Sequence, residues 1–196
     1  MDAQREQLEA RIRTAWEAND YAGATELAIR GYGPEVLGFL VALHKNYDDA
    51  ELSFSHFLER LWQGMQRFEW KCSVRTWAYL LARNAAVDVQ RGEARHRRAR
   101  VSDEHVAEIA QKVRTETLSL LRTETRDAFA RLRDELPEED RSLLVLRVDR
   151  DLEWQDVARV LGSTEATLVR DAAKLRKRFQ SVKERLRALG KERGLV

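Results

Sequence analysis

DLEWQDVARVLGSTEATLVRDAAKLRKRF, residues 151–179, reads as a short helix, a glycine turn and a long basic helix in immediate succession. Trp154, Val157, Ala158 and Leu161 fall at i, i+3, i+4 and i+7, one apolar helical face, and Gly162 follows where a left-handed cap is wanted. Thr164 is the expected N-cap of the second helix, which places Glu165 in a first turn whose dipole favours negative charge. Leu168, Ala172, Leu175, Phe179, Val182, Leu186 and Leu189 then alternate four- and three-residue steps along one stripe. At about 100° per residue, Thr167, Arg170, Lys174 and Lys177 project away from that stripe, with Arg178 beside them. This is the pattern of a helix-turn-helix whose second helix suits a DNA major groove, its N-terminal half meeting base edges and its cations meeting phosphates. The other reading is a helical hairpin with a solvated charged face; the glycine turn, the cap and the basic helix occurring together favour DNA.

The rest of the chain is bounded by composition. Its 196 residues allow one large or two small domains, and 43% hydrophobic content suffices for a core. Nine Gly, two Pro and 35% charged residues point to a nearly all-α protein. A formal charge of +2 conceals an asymmetry: residues 1–70 hold 12 acidic and 7 basic side chains, whereas residues 170–196 hold 10 basic and 3 acidic. Such a distribution implies different partners for the two ends. The single cysteine, Cys72, excludes an internal disulfide and a cysteine-cluster zinc site, and the four His lack ligand spacing, so no metal or other cofactor is expected. No apolar run approaches a membrane span and MDAQREQLEARIR lacks a signal-peptide core, so a cytoplasmic location without membrane insertion is expected.

Taken in order, Asp2 opens a helix to about Ala18, and a second helix begins near Asp20. Gly31-Tyr32-Gly33-Pro34 is expected to break it, with Pro34 at the first position of a third helix. Phe54, Phe57, Leu58, Leu61, Trp62, Met65 and Phe68 recur at helical steps and read as core. After a short loop, Ser73 is the expected N-cap of a helix to Asp88 that mixes aromatics with cations. Trp70, Arg75, Trp77, Tyr79, Arg83 and Asn84 are the residue types that stack on unpaired bases and hold phosphates. An ordinary amphipathic helix with snorkelling arginines fits the same composition.

FLERLWQGMQRFEWKCSVRTWAYLLARNAAVDVQR resembles region 2 of the extracytoplasmic-function group of bacterial RNA polymerase sigma factors. NDYAGATELAIRGYGPEVLGFL is similar to the opening segment of that group, and LPEEDRSLLVLRVDRDLEWQDVARVLGSTEATLVRDAAKLRKRF to its region 4. The resemblance implies an all-α protein of two small helical domains: a region 2-like domain over 1–92, a basic, partly helical linker over 93–122 and a region 4-like domain over 123–196. It implies a transcription initiation factor that binds core RNA polymerase, recognises and melts the minus-10 element with its first domain and reads the minus-35 element with its second. Minus-35 contacts map onto Thr164, Thr167, Arg170, Asp171, Lys174, Lys177 and Arg178. The base-capturing loop maps onto Phe68, Trp70, Lys71 and Ser73, and the following helix would touch the melted strand through Arg75, Trp77, Arg83 and Asn84. Polymerase docking maps onto Asp49, Glu51, Ser55, His56, Glu59 and Trp62, with Leu52, Ser55 and His56 standing where the group usually has an acid, Gln and Glu. Asp171 replaces a frequent Arg and would repel phosphate or select a cytosine amino group. An anti-sigma factor is a further implied partner.

Residues 91–100 carry five arginines and one acid, the composition of a disordered arm or of a phosphate-contacting helix end. Leu136-Pro137 opens a helix over Glu138 to Val148, with Phe129 and Leu132 expected to pack inward before it. An enzyme is disfavoured, since there is no phosphate-binding glycine loop, no G-x-S-x-G and no H-E-x-x-H. The other functional reading is a sigma-like regulator that binds DNA or a partner without productive polymerase engagement, because the usual clamp-contact residues are replaced.

Overall fold

The periodic apolar stripes form helices throughout, and the computed structural model contains no strand among the described residues, 2–92, 101–123 and 128–195. Of residues 2, 122, 123 and 128–130 only the backbone is described, so the expectation for Phe129 and that for positions 93–100 lie outside the described residues. The chain divides into two units, Met1–Leu121 and Arg122–Val196.

In the first unit, helices α1 (Asp2–Glu17), α2 (Tyr21–His44), α3 (Tyr47–Gly64), α4 (Val74–Gln90) and α5 (Glu104–Thr123) pack around α2. Twelve of its 24 residues are buried, on more than one face, as suits a helix surrounded by others. Its start is set by Asp20, whose carboxylate accepts from the Gly23 N–H at 2.8 Å, and its end by Lys45 in the left-handed region at φ 62°. The expected break at Gly31–Pro34 does not occur: α2 runs through Pro34 without interruption. The two glycines serve packing instead. A Cβ on Gly31 would stand 2.1 Å from Leu8 Cδ2, and one on Gly33 2.9 Å from Val113 Cγ1. The missing side chains let α1 and α5 approach the α2 backbone.

Phe54, Phe57, Leu61 and Met65 of the α3 stripe are at most 1% exposed, each contributing roughly 1.5–3 kcal/mol of apolar burial. Phe39 of α2 meets Tyr79 of α4 edge to face at 5.4 Å. Asn46 caps α3, accepting from the Asp49 N–H at 2.8 Å. Although the sequence reading places 93–122 in a linker, residues 104–121 lie in the first unit as nearly all of α5. Val106, Ile109, Ala110, Val113 and Thr117 are all buried at helical spacing, so α5 has a core-facing stripe. Along the antiparallel α3, the Tyr47 hydroxyl donates to the Leu121 carbonyl, Arg114 to Ser55 Oγ, and Trp62 Nε1 to Ser102 Oγ just before α5 begins.

The second unit comprises α6 (Ala128–Asp134), α7 (Glu138–Leu144), α8 (Trp154–Val160) and α9 (Leu168–Glu192), with a π turn, Val145–Asp149, continuing α7. Leu168 and Ala172 of α9 pack on Ala158 of α8, flanked by Trp154 and Leu175. Trp154 meets Phe179 edge to face at 5.5 Å, with Arg147 and Arg176 over its ring. Gly162 holds φ 100° in the turn, as its cap position requires. The restart differs from expectation in its register. Thr164 opens a tight turn, closed by the Thr167 N–H donating to its carbonyl at 3.0 Å, and α9 begins only at Leu168.

Candidate nucleic-acid interface

In the first unit the loop between α3 and α4 is built from stacked aromatics. Phe68 lies on Trp77 with ring centres 4.6 Å apart and planes 29° apart, and against Trp70 at 5.0 Å. Trp70 is held at φ 55°, unusual for a bulky residue, between Trp16 at 5.8 Å and the Arg13 guanidinium at 5.1 Å. Its indole nitrogen is buried with no hydrogen-bond partner among the described residues. Trp77 closes on Gly64, where a Cβ would sit 2.9 Å from its ring. Trp77 is thus half-buried, a packed residue with one edge open, while Asn84, two turns on along the same face of α4, is exposed. Arg83 is half-buried; Lys71 is exposed and ion-paired with Glu69. Ser73 caps α4, accepting from the Thr76 N–H at 3.0 Å.

Arg75 departs from the sequence reading. It is 7% exposed and forms a two-pronged ion pair with Glu35 at 2.7 and 2.9 Å, its guanidinium over the Tyr79 ring. Burial opposes its charge, but the hydrogen bonds and charge of Glu35 outweigh that and raise its pKa. Such a guanidinium braces α4 on α2 and does not reach a nucleic-acid strand. Glu9 was not legible as part of this region. Its carboxylate accepts from the Val74 and Arg75 N–H groups at 2.9 and 3.0 Å and from the Tyr32 hydroxyl at 2.7 Å, pinning the N-terminus of α4 from α1. Burial, reinforced by that carboxylate, pushes the Tyr32 phenol pKa up.

The residues mapped onto polymerase docking divide similarly. Asp49, Glu51 and Glu59 are half-buried on α3. His56 is fully buried, its Nδ1 3.7 Å from the Glu59 carboxylate, so it has no surface to offer a partner. Ser55 and Trp62 are half-buried and hydrogen-bonded to Arg114 and Ser102, which lie over them.

In the second unit Arg170 and Lys174 are about two-thirds exposed on the first turns of α9 and share Asp171, at 3.3 and 3.4 Å. A hydrogen bond from Thr167, then those from Arg170 and Lys174, hold the Asp171 carboxyl down at about 2. Asp171 therefore orients cations on the outer face. Thr164 and Lys177 are exposed and Thr167 half-buried. Arg178 points elsewhere, donating to Asp140 and Glu139 at 2.6 Å each, and so ties α9 to α7. No group of three or more His, Cys, Asp or Glu among the described residues is placed to hold a metal, and no described helix is long and apolar enough to cross a membrane.

Residues 28–96 match the family model of Sigma-70 region 2, a span that contains the aromatic loop and α4. The chain is similar to RNA polymerase sigma factor YlaC of Bacillus subtilis (strain 168), with 24% identity over 170 residues covering 79% of this chain and 91% of that protein. Its fold is similar to that of the sigma factor RpoE solved in complex with the anti-sigma factor NepR from Bartonella quintana, at 17% identity and a TM-score of 0.50, over 80% of this chain and 94% of that one. From the region 2 match and the relative aligned along nearly its whole length, the chain carries a Sigma-70 region 2 domain and is homologous to extracytoplasmic-function sigma factors.

Proposed function

We propose that this chain is an RNA polymerase sigma factor whose first unit docks on core polymerase and captures the melted minus-10 strand, and whose second unit reads the minus-35 duplex. The observation that carries this reading is the Sigma-70 region 2 match over residues 28–96, coinciding with the Phe68, Trp70 and Trp77 stack. Extruding a base costs a few kcal/mol, offset by stacking on an aromatic surface in a polar-rimmed site. Trp77 supplies the surface here through its open edge, backed by the buried Phe68, and Lys71, Ser73, Arg83 and Asn84 supply the rim; Arg75 supports it from within the bundle. Thr164, Thr167, Arg170, Lys174 and Lys177 form the duplex face, with Asp171 orienting its cations. Docking falls to the acidic Asp49, Glu51 and Glu59 with the open edge of Trp62. Sigma factors do no catalysis themselves; the polymerase does. An anti-sigma factor is a further proposed partner, by analogy with the RpoE complex.

One observation favours the second reading, a sigma-like regulator without productive polymerase engagement: His56 is buried, and Ser55 and Trp62 are bridged to Arg114 and Ser102. Run-off transcription with purified core enzyme on promoter templates separates the two. The sigma reading requires that this chain direct specific transcripts that core alone does not make. Binding to DNA with no transcript and no co-elution with core would establish the regulator instead.

A further inference from the structure

Val169, the second residue of α9, is 71% exposed, more than any other large hydrophobic residue among those described. Its position is unfavourable for folding, since an open isopropyl group gains no burial and a β-branched residue is a weak helix former. The exposed Ala173 lies one turn on along α9 beside it and the exposed Ala166 stands in the turn just before the helix, so Val169 belongs to an apolar strip between the Leu168 and Ala172 core positions and the basic outer face. Arg170 and Lys174 run along one side of it, 66% and 67% exposed. Asp171 lies between those cations and is already engaged by both and by Thr167, so the cluster keeps a net positive charge.

An apolar strip with cations along one side is complementary to one feature of the major groove. The cations suit a phosphate rim, and within the groove the thymine C5 methyl is the apolar group that distinguishes T from C, A and G. We infer that Val169 is a specificity residue of the duplex-reading helix, packing on a thymine methyl with Ala166 and Ala173 beside it, so that the preferred minus-35 sequence carries thymine at the step it covers. This inference rests on the proposed role of α8 and α9 as a duplex reader. Asp171, bound to its neighbours, takes the orienting part and not that of an acceptor for a cytosine amino group.

The test uses the full chain and a pool of duplexes randomised over the bound segment. In the most enriched duplex each thymine is replaced in turn by deoxyuridine, which removes only the methyl. At one thymine, or two adjacent ones, the parent should bind about fourfold more weakly, the effect of one buried methyl. Val169→Ala should lose most of that deoxyuridine penalty while melting at the parental temperature, and Val169→Ile should keep it. An enriched duplex whose thymines all tolerate deoxyuridine overturns the inference, as does a Val169→Ala protein that retains the full penalty. A pool in which no sequence is enriched, with binding indifferent to Lys174→Ala, overturns the underlying duplex-reading role as well.

Discussion

Replacing Arg75 by Ala separates a structural role from a strand-contacting one. Its guanidinium is 7% exposed, its two bonds to Glu35 measure 2.7 and 2.9 Å, and the Glu35 side chain is 19% exposed. Removing one member of a buried pair leaves the other charge desolvated, which costs about 3–5 kcal/mol, and the partial access of Glu35 to water places the loss near the lower end. The contact with the Tyr79 ring, worth about 1 kcal/mol, goes with it. A loss of about 4 kcal/mol is a large fraction of the stability of a unit this size and lowers the urea midpoint by about 2 M. The assay is urea unfolding followed by tryptophan fluorescence, since Trp16, Trp62, Trp70 and Trp77 report the first unit and only Trp154 the second. Glu35→Ala should be similarly harmful. The double variant should cost clearly less than the two singles together, because it leaves no buried orphan charge. An Arg75→Ala protein that unfolds at the parental midpoint yet fails to open promoters would refute the reasoning and return Arg75 to the melted strand.

Lys174→Ala should lower the salt slope of duplex binding by about one ion, whereas Arg178→Ala should leave the slope unchanged and destabilise the second unit by about 1 kcal/mol, because Arg178 faces Asp140 and Glu139. Equal slope changes for both would contradict this division of the α9 cations. The Asp171 carboxyl is depressed in the folded chain, so whatever it contributes is present above the ordinary carboxylate pKa and is lost as pH falls toward 2. Thr167→Val should move its midpoint up toward the ordinary value in a carboxyl NMR titration; an unmoved midpoint would show that Thr167 is not the main cause. Asn84→Ala should slow the opening of intact promoters, a lost base contact being worth about 1–3 kcal/mol, and a premelted bubble should restore most of the activity. Trp77→Ala informs on opening only if a thermal melt shows it folded, since Phe68 and Gly64 pack on its ring.

The sequence by itself determined the features that depend on neighbouring residues. The α3 and α9 stripes, the Ser73 and Asp20 helix starts and the left-handed Gly162 are matters of local spacing and side-chain reach, and they stand in the structure where the spacing puts them. The region 2 resemblance belongs here too, since it rests on contiguous motifs that the comparison over 28–96 recovers. What distant parts of the chain do to one another was decided only by tertiary structure. Gly31, Gly33 and Pro34 carry every local mark of a helix break, yet packing of Leu8 and Val113 against bare backbone outweighs the local cost and α2 continues. Arg75 looks like a strand-binding cation until Glu35, forty residues away, is folded against it, and Glu9 meets the α4 terminus across a still longer separation. His56 sits at a docking position by resemblance and in the core by geometry. In α9 the sequence marked which face is basic, but the structure alone placed Arg178 on α7 and left Val169 open to solvent. A one-dimensional pattern specifies which side of a helix is apolar; which neighbour that side meets, and which charges are consumed in the meeting, depends on the packing of the whole bundle.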